Sequence, residues 1–181
     1  PISLIKAPLS ELEAQRELPE ESKKTVAVAV KNAEKLLSMV TQLLDLQKTE
    51  LHAECLKVSP YDIKAYLEEK IAEFHMAVLQ KGVEIQLKTE ADMPQVWMDR
   101  DKMDHIVDNL LSNALKYTEK GIIYITVRTT KKKWSIEVKD TGIGIPKEEQ
   151  RNIFHEYYRA QNAMNFQETG SGIGLMITRR I

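Results

Sequence analysis

The sequence predicts an α+β protein in two parts, an antiparallel helical hairpin followed by a two-layer α/β sandwich. Three observations carry that prediction. An apolar heptad register runs from Val26 to Leu51 without a strand signal. Beyond Ser59, helical and alternating patterns interleave over short distances. Two glycine-rich boxes, Asp140 to Pro146 and Gly170 to Leu175, punctuate the C-terminal part of the chain.

In the first part, Ile2, Ile5, Leu9 and Leu12 alternate spacings of three and four, which predicts an amphipathic helix over 1–16, bent at Pro8. Glu17 to Glu21 breaks the pattern. Helix 21–51 then carries Val26, Val30, Ala33, Leu37, Val40, Leu44 and Leu51 on one seam, with Gln47 in the remaining slot. Ala29, Leu36 and Leu43 widen the stripe beyond what one partner helix of about sixteen residues covers. Residues 1–52 are therefore expected to form half of a four-helix bundle, a homodimer through helices 1–16 and 21–51. An intramolecular hairpin packed on the following domain is the alternative.

The second part, 56–181, opens with Ser59-Pro60-Tyr61-Asp62, which reads as an N-cap, a first-turn proline and a first-turn acid, and predicts a helix to about Gln80 ended by Gly82. Val83, Ile85 and Leu87 alternate with polar residues as a half-buried strand, and a short strand is expected around Val96 to Met98. Asp99 caps the next helix. Ile123, Ile125 and Val127, then Trp134, Ile136 and Val138, predict two strands paired as a hairpin over Lys131, Lys132 and Lys133. A short helix is expected over Lys147 to Phe154, and another after the second glycine box.

Composition excludes several classes. Hydrophobic residues are 43% and charged residues 29% of the 181, as in ordinary globular chains. Lysine and arginine total 26 against 27 acids, so no overall field draws the chain to nucleic acid or to an anionic membrane. The triple lysine reads as a solvated turn. Cys55 is the lone cysteine, so no internal disulfide forms, and the compartment is expected to be reducing. No apolar run approaches a bilayer span, and no membrane contact is expected from this stretch. The chain opens without Met inside a helical pattern and stops shortly after a helix begins, which predicts an excised segment.

The chemistry concentrates on Asp101 to Thr118. Met103, Val107, Leu110 and Ala114 make one apolar face, and Asn109, Asn113 and Lys116 repeat the spacing on a neighbouring stripe. Stacked carboxamides are hard oxygen ligands and lysine is a point charge, a set that suits magnesium and phosphates; a solvated helix face would read the same way. In the first glycine box, Gly142 and Gly144 let the backbone approach a ligand closely. Ile143 and Ile145 can wall a flat base there, and Asp140 can accept from an exocyclic amine. In the second, Gly170, Ser171, Gly172, Gly174 and Leu175 open a helix whose N–H groups suit phosphate oxygens. The spacing is not that of the dinucleotide fingerprint, and no GxxxxGK[ST] loop is present. Between the boxes lies a lid, with Tyr157, Tyr158 and Arg159 followed by a polar run to Thr169; Arg159 can reach a terminal phosphate.

In order, Asn109-x3-Asn113-x2-Lys116-Tyr117, DTGIGIP, IFHEYYR and GSGIGL resemble the ATP-binding domain of sensor histidine kinases of two-component systems. The larger group includes gyrase, the Hsp90 chaperones and MutL. The resemblance implies a dimerisation and phosphoacceptor hairpin at 1–52 and a catalytic domain of the histidine kinase type at 56–181. It implies binding of ATP and Mg2+, with the γ-phosphoryl group passing to a histidine and then to an aspartate of a response-regulator receiver domain, separate or fused. Asn113 with Asn109 is implied for magnesium, and Lys116 and Arg159 for the phosphates. Tyr117 is placed beside the adenine and Asp140 on its amino group. Gly142, Gly144, Gly170, Gly172 and Gly174 shape the lid ends, with Ile145, Ser171 and Leu175 in the same boxes.

The departures define what this stretch is expected not to do. In the family the phosphoacceptor box resembles H-E-x-x-T-P, and Pro1 looks like its last residue, so the acceptor histidine lies upstream and the fragment alone is expected not to phosphorylate itself. His52, His75, His105 and His155 lack that context. The family also continues the last helix and adds strands beyond Ile181. PISLIKAPL is similar to large hybrid kinases, and the family implies a cytoplasmic portion of a membrane-anchored parent. Two other classes stay open. One is a nucleotide-binding pseudokinase or dimerisation module; the other is an ATPase of the gyrase, Hsp90 and MutL group, for which Asp104, His105 and Asp108 are the candidates to activate water.

Overall fold

A computed structural model describes residues 8, 19, 22–30, 32–33, 36–37, 40, 56–90, 93–130, 133–164, 166 and 170–181. The chain divides into two compact units, Pro1–Ala53 and Glu54–Ile181. In the first unit, residues 22–30 are helical, as are the described positions up to 40. Val30 and Ala33 are buried, Val26 and Leu37 half-buried, and Leu36 and Val40 exposed. Among the described residues the expected seam is thus covered from Val26 to Leu37 and open at Val40, with Leu36 exposed beside it. Helix 1–16 apart from Pro8, and the seam beyond 40, lie outside the described residues.

The second unit runs β1 (Val58–Tyr61), α1 (Ile63–Glu73), α2 (His75–Lys81), β2 (Val83–Lys88), β3 (Val96–Asp99), α3 (Arg100–Tyr117), β4 (Gly121–Thr129), β5 (Trp134–Asp140), α4 (Gln161–Met164) and α5 (Gly174–Arg180). β1 and β3 pair antiparallel. β4 is flanked by β2, parallel to it, and by β5, antiparallel to it. The strands from Gly121 and Trp134 form the expected hairpin, with Thr129 opposite Trp134; Lys131 and Lys132 lie outside the described residues. The core joins Ile63, Tyr66 and Leu67 of α1 to Val107 and Leu111 of α3, Val96 and Met98 of β3, and Ile125 and Val127 of β4. A helical layer covers a sheet layer, the α+β sandwich that the pattern predicts.

The expected helix start at Ser59 is wrong. Val58 to Tyr61 is a strand, with Pro60 opposite Trp97, and Asp62 is the true N-cap, accepting from the Lys64 and Ala65 amides at 2.9 and 3.0 Å. A two-stranded sheet consists only of edges, where a proline that lacks an N–H is tolerated. The helix also breaks at Phe74, and Gly82 ends its second half in the left-handed region at φ 66°. Lys147 to Phe154 is likewise not a helix but a run of turns, with amide bonds such as Asn152 to the Glu149 carbonyl at 2.9 Å.

α3 is set by contacts at both ends and along one side. Asp99 caps it, accepting from the Lys102 amide at 3.2 Å and from the Lys57 amide at 2.7 Å. At the other end the Lys81 ammonium donates to the carbonyls of Leu115 and Lys116 at 2.8 and 2.7 Å, filling acceptors that a helix end leaves open. The buried face is Val107, Leu111, Ala114 and Leu115; Met103 and Leu110, expected in the core, are only half-buried. The face is turned because α3 feeds two clusters, one with α1 and a second in which Ala114 and Leu115 meet Val83 and Ile123.

A polar network locks that rotation against α1. Lys70, only 4% exposed, pairs with Asp108 at 2.7 Å and Glu73 at 2.8 Å. The Tyr66 hydroxyl donates to Asp104 at 2.9 Å, and Arg100 pairs with Glu69 at 2.6 Å. Burial works against the Lys70 ammonium, but its bonds to Asp108 and Glu73 outweigh it and hold its pKa above the ordinary value. Burial and the Asp104 acceptor push the Tyr66 phenol far up.

The cap makes a pH prediction. The Lys57 amide and then the Lys102 amide hold the Asp99 carboxyl below its ordinary value. A depressed folded-state pKa gives a contribution that is present above the unfolded value and lost as pH falls through the folded one. Stability measured by urea unfolding is expected to drop on acidification through the carboxylate range, and Asp99→Asn to flatten that part of the profile. An unchanged profile would remove Asp99 as its source.

Candidate functional site

The stripe Asn109, Asn113, Lys116 lies beside the core face of α3 and away from Asp104 and Asp108, which contact α1. Asn113 Nδ2 donates to Asn109 Oδ1 at 3.2 Å, so the two carboxamides are joined one turn apart, as their spacing predicts. Asn109 Nδ2 donates in turn to Thr178 Oγ1 on α5 at 2.7 Å.

Both glycine boxes come to this one helix. The first closes on its C-terminal end: the Ile143 amide donates to the Tyr117 carbonyl at 3.2 Å, and a Cβ on Gly142 would overlap that same carbonyl. Asp140, exposed at the end of β5, accepts from the Gly142 amide at 2.9 Å with Oδ1, leaving Oδ2 as its remaining acceptor. The second box approaches from the other side. Gly170 lies by the Lys116 ammonium, and a Cβ on Gly174 would run into Asn109 Oδ1. Gly172, at φ 71°, packs against the Tyr157 and Tyr158 backbone and so joins the box to the lid. Tyr157 itself sits at φ 59°, strained for a non-glycine residue. Gly144 adopts φ 66° in open space and serves the turn alone.

The lid is tied to both boxes. Asn162 donates to the Gly144 carbonyl at 2.9 Å, Gln150 donates to the Ile145 carbonyl at 3.1 Å, and Glu149 accepts from the Tyr158 hydroxyl at 2.7 Å and from the Gln161 amide at 3.0 Å. The Glu149 bond raises the Tyr158 pKa. Arg159 is half-buried and donates to the Ala163 carbonyl at 2.8 Å, a bond within the lid. Phe166 meets the Tyr117 ring at 6.0 Å between centroids, and the Lys116 ammonium lies 4.9 Å from that ring's centroid on another contact. Ser171 Oγ accepts from the Ile173 amide at 3.4 Å, and Leu175 is half-buried on α5.

Among the described residues, no group of three or more His, Cys, Asp or Glu could hold a metal. A cation here would depend on carboxamide oxygens, and the donor set allows it: Asn113 uses its nitrogen on Asn109, which leaves its oxygen to face a hard cation that keeps most of its waters. Sequence reasoning missed Thr178, Asn162, Glu149 and Phe166. Thr178 carried a usable signal, since it follows Gly174 by four residues and so shares its helix face. Thr141 was also missed as a structural group; its Oγ1 accepts from the Ile122 amide at 3.0 Å and fixes the first box to β4.

Residues 98–181 match the family described as "Histidine kinase-, DNA gyrase B-, and HSP90-like ATPase". The signal transduction histidine-protein kinase BarA of Escherichia coli (strain K12) is 31% identical over 157 residues, 83% of this chain and 17% of that protein. The aerobic respiration control sensor protein ArcB of the same strain is 31% identical over 176 residues, 96% of this chain and 23% of that protein. The chain thus spans less than a quarter of the length of these relatives. Among solved structures, full-length ShkA in complex with AMPPNP superposes with a TM-score of 0.76 at 25% identity, over 99% of this chain and 38% of that one. No helix of the described residues is long and apolar enough to cross a membrane.

Proposed function

We propose that residues 56–181 of this chain, which matches the Histidine kinase-, DNA gyrase B-, and HSP90-like ATPase family over 98–181 and has histidine kinases as its relatives, bind ATP with Mg2+ as the catalytic domain of a sensor kinase. The γ-phosphoryl group would pass to a histidine outside this stretch and then to an aspartate of a response-regulator receiver domain. The observation that carries the reading is the convergence of both glycine boxes on the stripe from Asn109 to Tyr117.

In this reading Asn113 and Asn109 hold magnesium through their oxygens. Bound there, the ion would neutralise charge on the phosphates. Lys116 supplies a point charge beside the second box, and Arg159 reaches the phosphates on leaving its bond to the Ala163 carbonyl. Asp140 Oδ2 accepts from the adenine amine, with Tyr117 and Ile145 against the ring. Gly142, Gly144, Gly170, Ser171, Gly172, Gly174 and Leu175 shape the pocket walls. Phosphoryl transfer asks for positioning and charge neutralisation, and these groups supply both. A water-activating ATPase is disfavoured by one observation: two of its three candidates, Asp104 and Asp108, are committed to Tyr66 and Lys70, which leaves only the exposed His105.

The exposed Leu36 and Val40 beside the buried Val30 and Ala33 support a dimer in which a second copy covers the open stripe of the first unit. A dimer mass by light scattering is expected, shifting to a monomer in Leu36→Glu/Val40→Glu; a monomeric parent chain would refute it.

The nucleotide reading is tested by calorimetry with AMPPNP. Magnesium-dependent binding is expected, weakened at least about tenfold by EDTA or by Asn113→Ala, in line with the loss of a metal ligand. Binding that ignores both would displace magnesium from Asn113. Absence of binding by a folded chain would favour a signalling module without nucleotide chemistry.

A further inference from the structure

We propose that Thr178 is a positioning residue for the metal-facing carboxamides, fixing through one hydroxyl proton which atom each presents. The inference rests on the nucleotide reading of the site. Thr178 Oγ1 is 3.1 Å from the Gly174 carbonyl, one turn back on α5, and 2.7 Å from Asn109 Nδ2. A hydroxyl has one proton, and a carbonyl can only accept. The proton therefore goes to Gly174, and toward Asn109 the Thr178 oxygen is an acceptor.

That assignment propagates. Asn109 must turn its NH2 group to Thr178, so its oxygen faces Asn113. Asn113 must then offer its own NH2 group to that oxygen, at 3.2 Å. The chain of donors runs from Asn113 through Asn109 to Thr178 and ends on a main-chain carbonyl. Its consequence is that the acceptor left on Asn113 is the oxygen, the atom a hard cation requires. Without the hydroxyl, both carboxamides are free to turn over and present nitrogen, which repels a cation.

Gly174 makes the relay possible. It lies one turn from Thr178 on the same face of α5, and a side chain there would collide with the Asn109 oxygen. In this relay the third glycine of the box lets two helices approach closely enough for a threonine to reach across. Thr178 is itself assigned no contact with nucleotide or metal; it bonds Asn109 and the Gly174 carbonyl, and so acts through Asn109 and Asn113.

The test is calorimetry of AMPPNP on the whole chain, with magnesium and in EDTA, for the parent, Thr178→Val and Thr178→Ser. Binding in EDTA is expected to stay unchanged in Thr178→Val, while the enhancement by magnesium falls roughly tenfold, as for other residues that orient a metal ligand. Thr178→Ser, which keeps the hydroxyl, is expected to retain the enhancement. Should Thr178→Val fail to fold by circular dichroism, Thr178→Ala takes its place. Added to Asn109→Ala, the Thr178 substitution is expected to cost nothing further. Equal weakening with and without magnesium, or full enhancement in Thr178→Val, overturns the relay and leaves the nucleotide reading standing. A parent chain that binds AMPPNP without any magnesium enhancement overturns the relay together with the metal assignment it rests on.

Discussion

The rotational setting of α3 about its own axis is the constraint on which the rest of the second unit depends. Each residue advances about 100° around a helix, so the three stripes of α3 cannot be set independently. Val107, Leu111, Ala114 and Leu115 enter the core, Arg100, Asp104 and Asp108 meet α1, and Asn109, Asn113 and Lys116 are left to the glycine boxes. A turn by one residue position would bury an amide and expose a leucine. The buried Lys70 makes such a turn costly, because it would separate a desolvated ammonium from its carboxylates.

The glycines then divide by physical task. Gly82 and Gly144 supply left-handed backbone in open space. Gly142, Gly170 and Gly174 supply absence of bulk, each where a side chain would meet part of α3, and Gly172 does both against the lid. Close approach shapes the pocket wall from two sides, and the lid bonds from Asn162 and Gln150 to the first box hold the wall in register. Function follows from packing here: the polar stripe becomes a site only because the two loops can reach it.

Much of this was legible in the residues. Strict alternation at Ile123, Ile125 and Val127 found a strand whose three apolar side chains are all buried, and the four-residue spacing of Asn109 and Asn113 found a pair that is in fact bonded. Errors arose where a local signal met a tertiary partner. Ser59-Pro60 has the composition of a helix start, yet strand pairing with Trp97 overrides it and passes the cap to Asp62. Leu110 and Leu111 are equally apolar, and only packing against α1, β3 and β4 decides which one is buried. The turns at 147–154 have the local propensity of a helix, which carries no term for the bonds that Glu149 accepts from Tyr158 and Gln161. The spacing from Gly174 puts Thr178 on the face of the second box, but its partner Asn109 lies 69 residues away and is not legible locally.

The most direct test of the account is a crystal structure of the chain with AMPPNP and magnesium. The nucleotide is expected between α3 and the two glycine boxes, with the Asn113 oxygen on the metal and the Asn109 amide still donating to Thr178. A nucleotide seated elsewhere, or a metal held without an oxygen from α3, would contradict it.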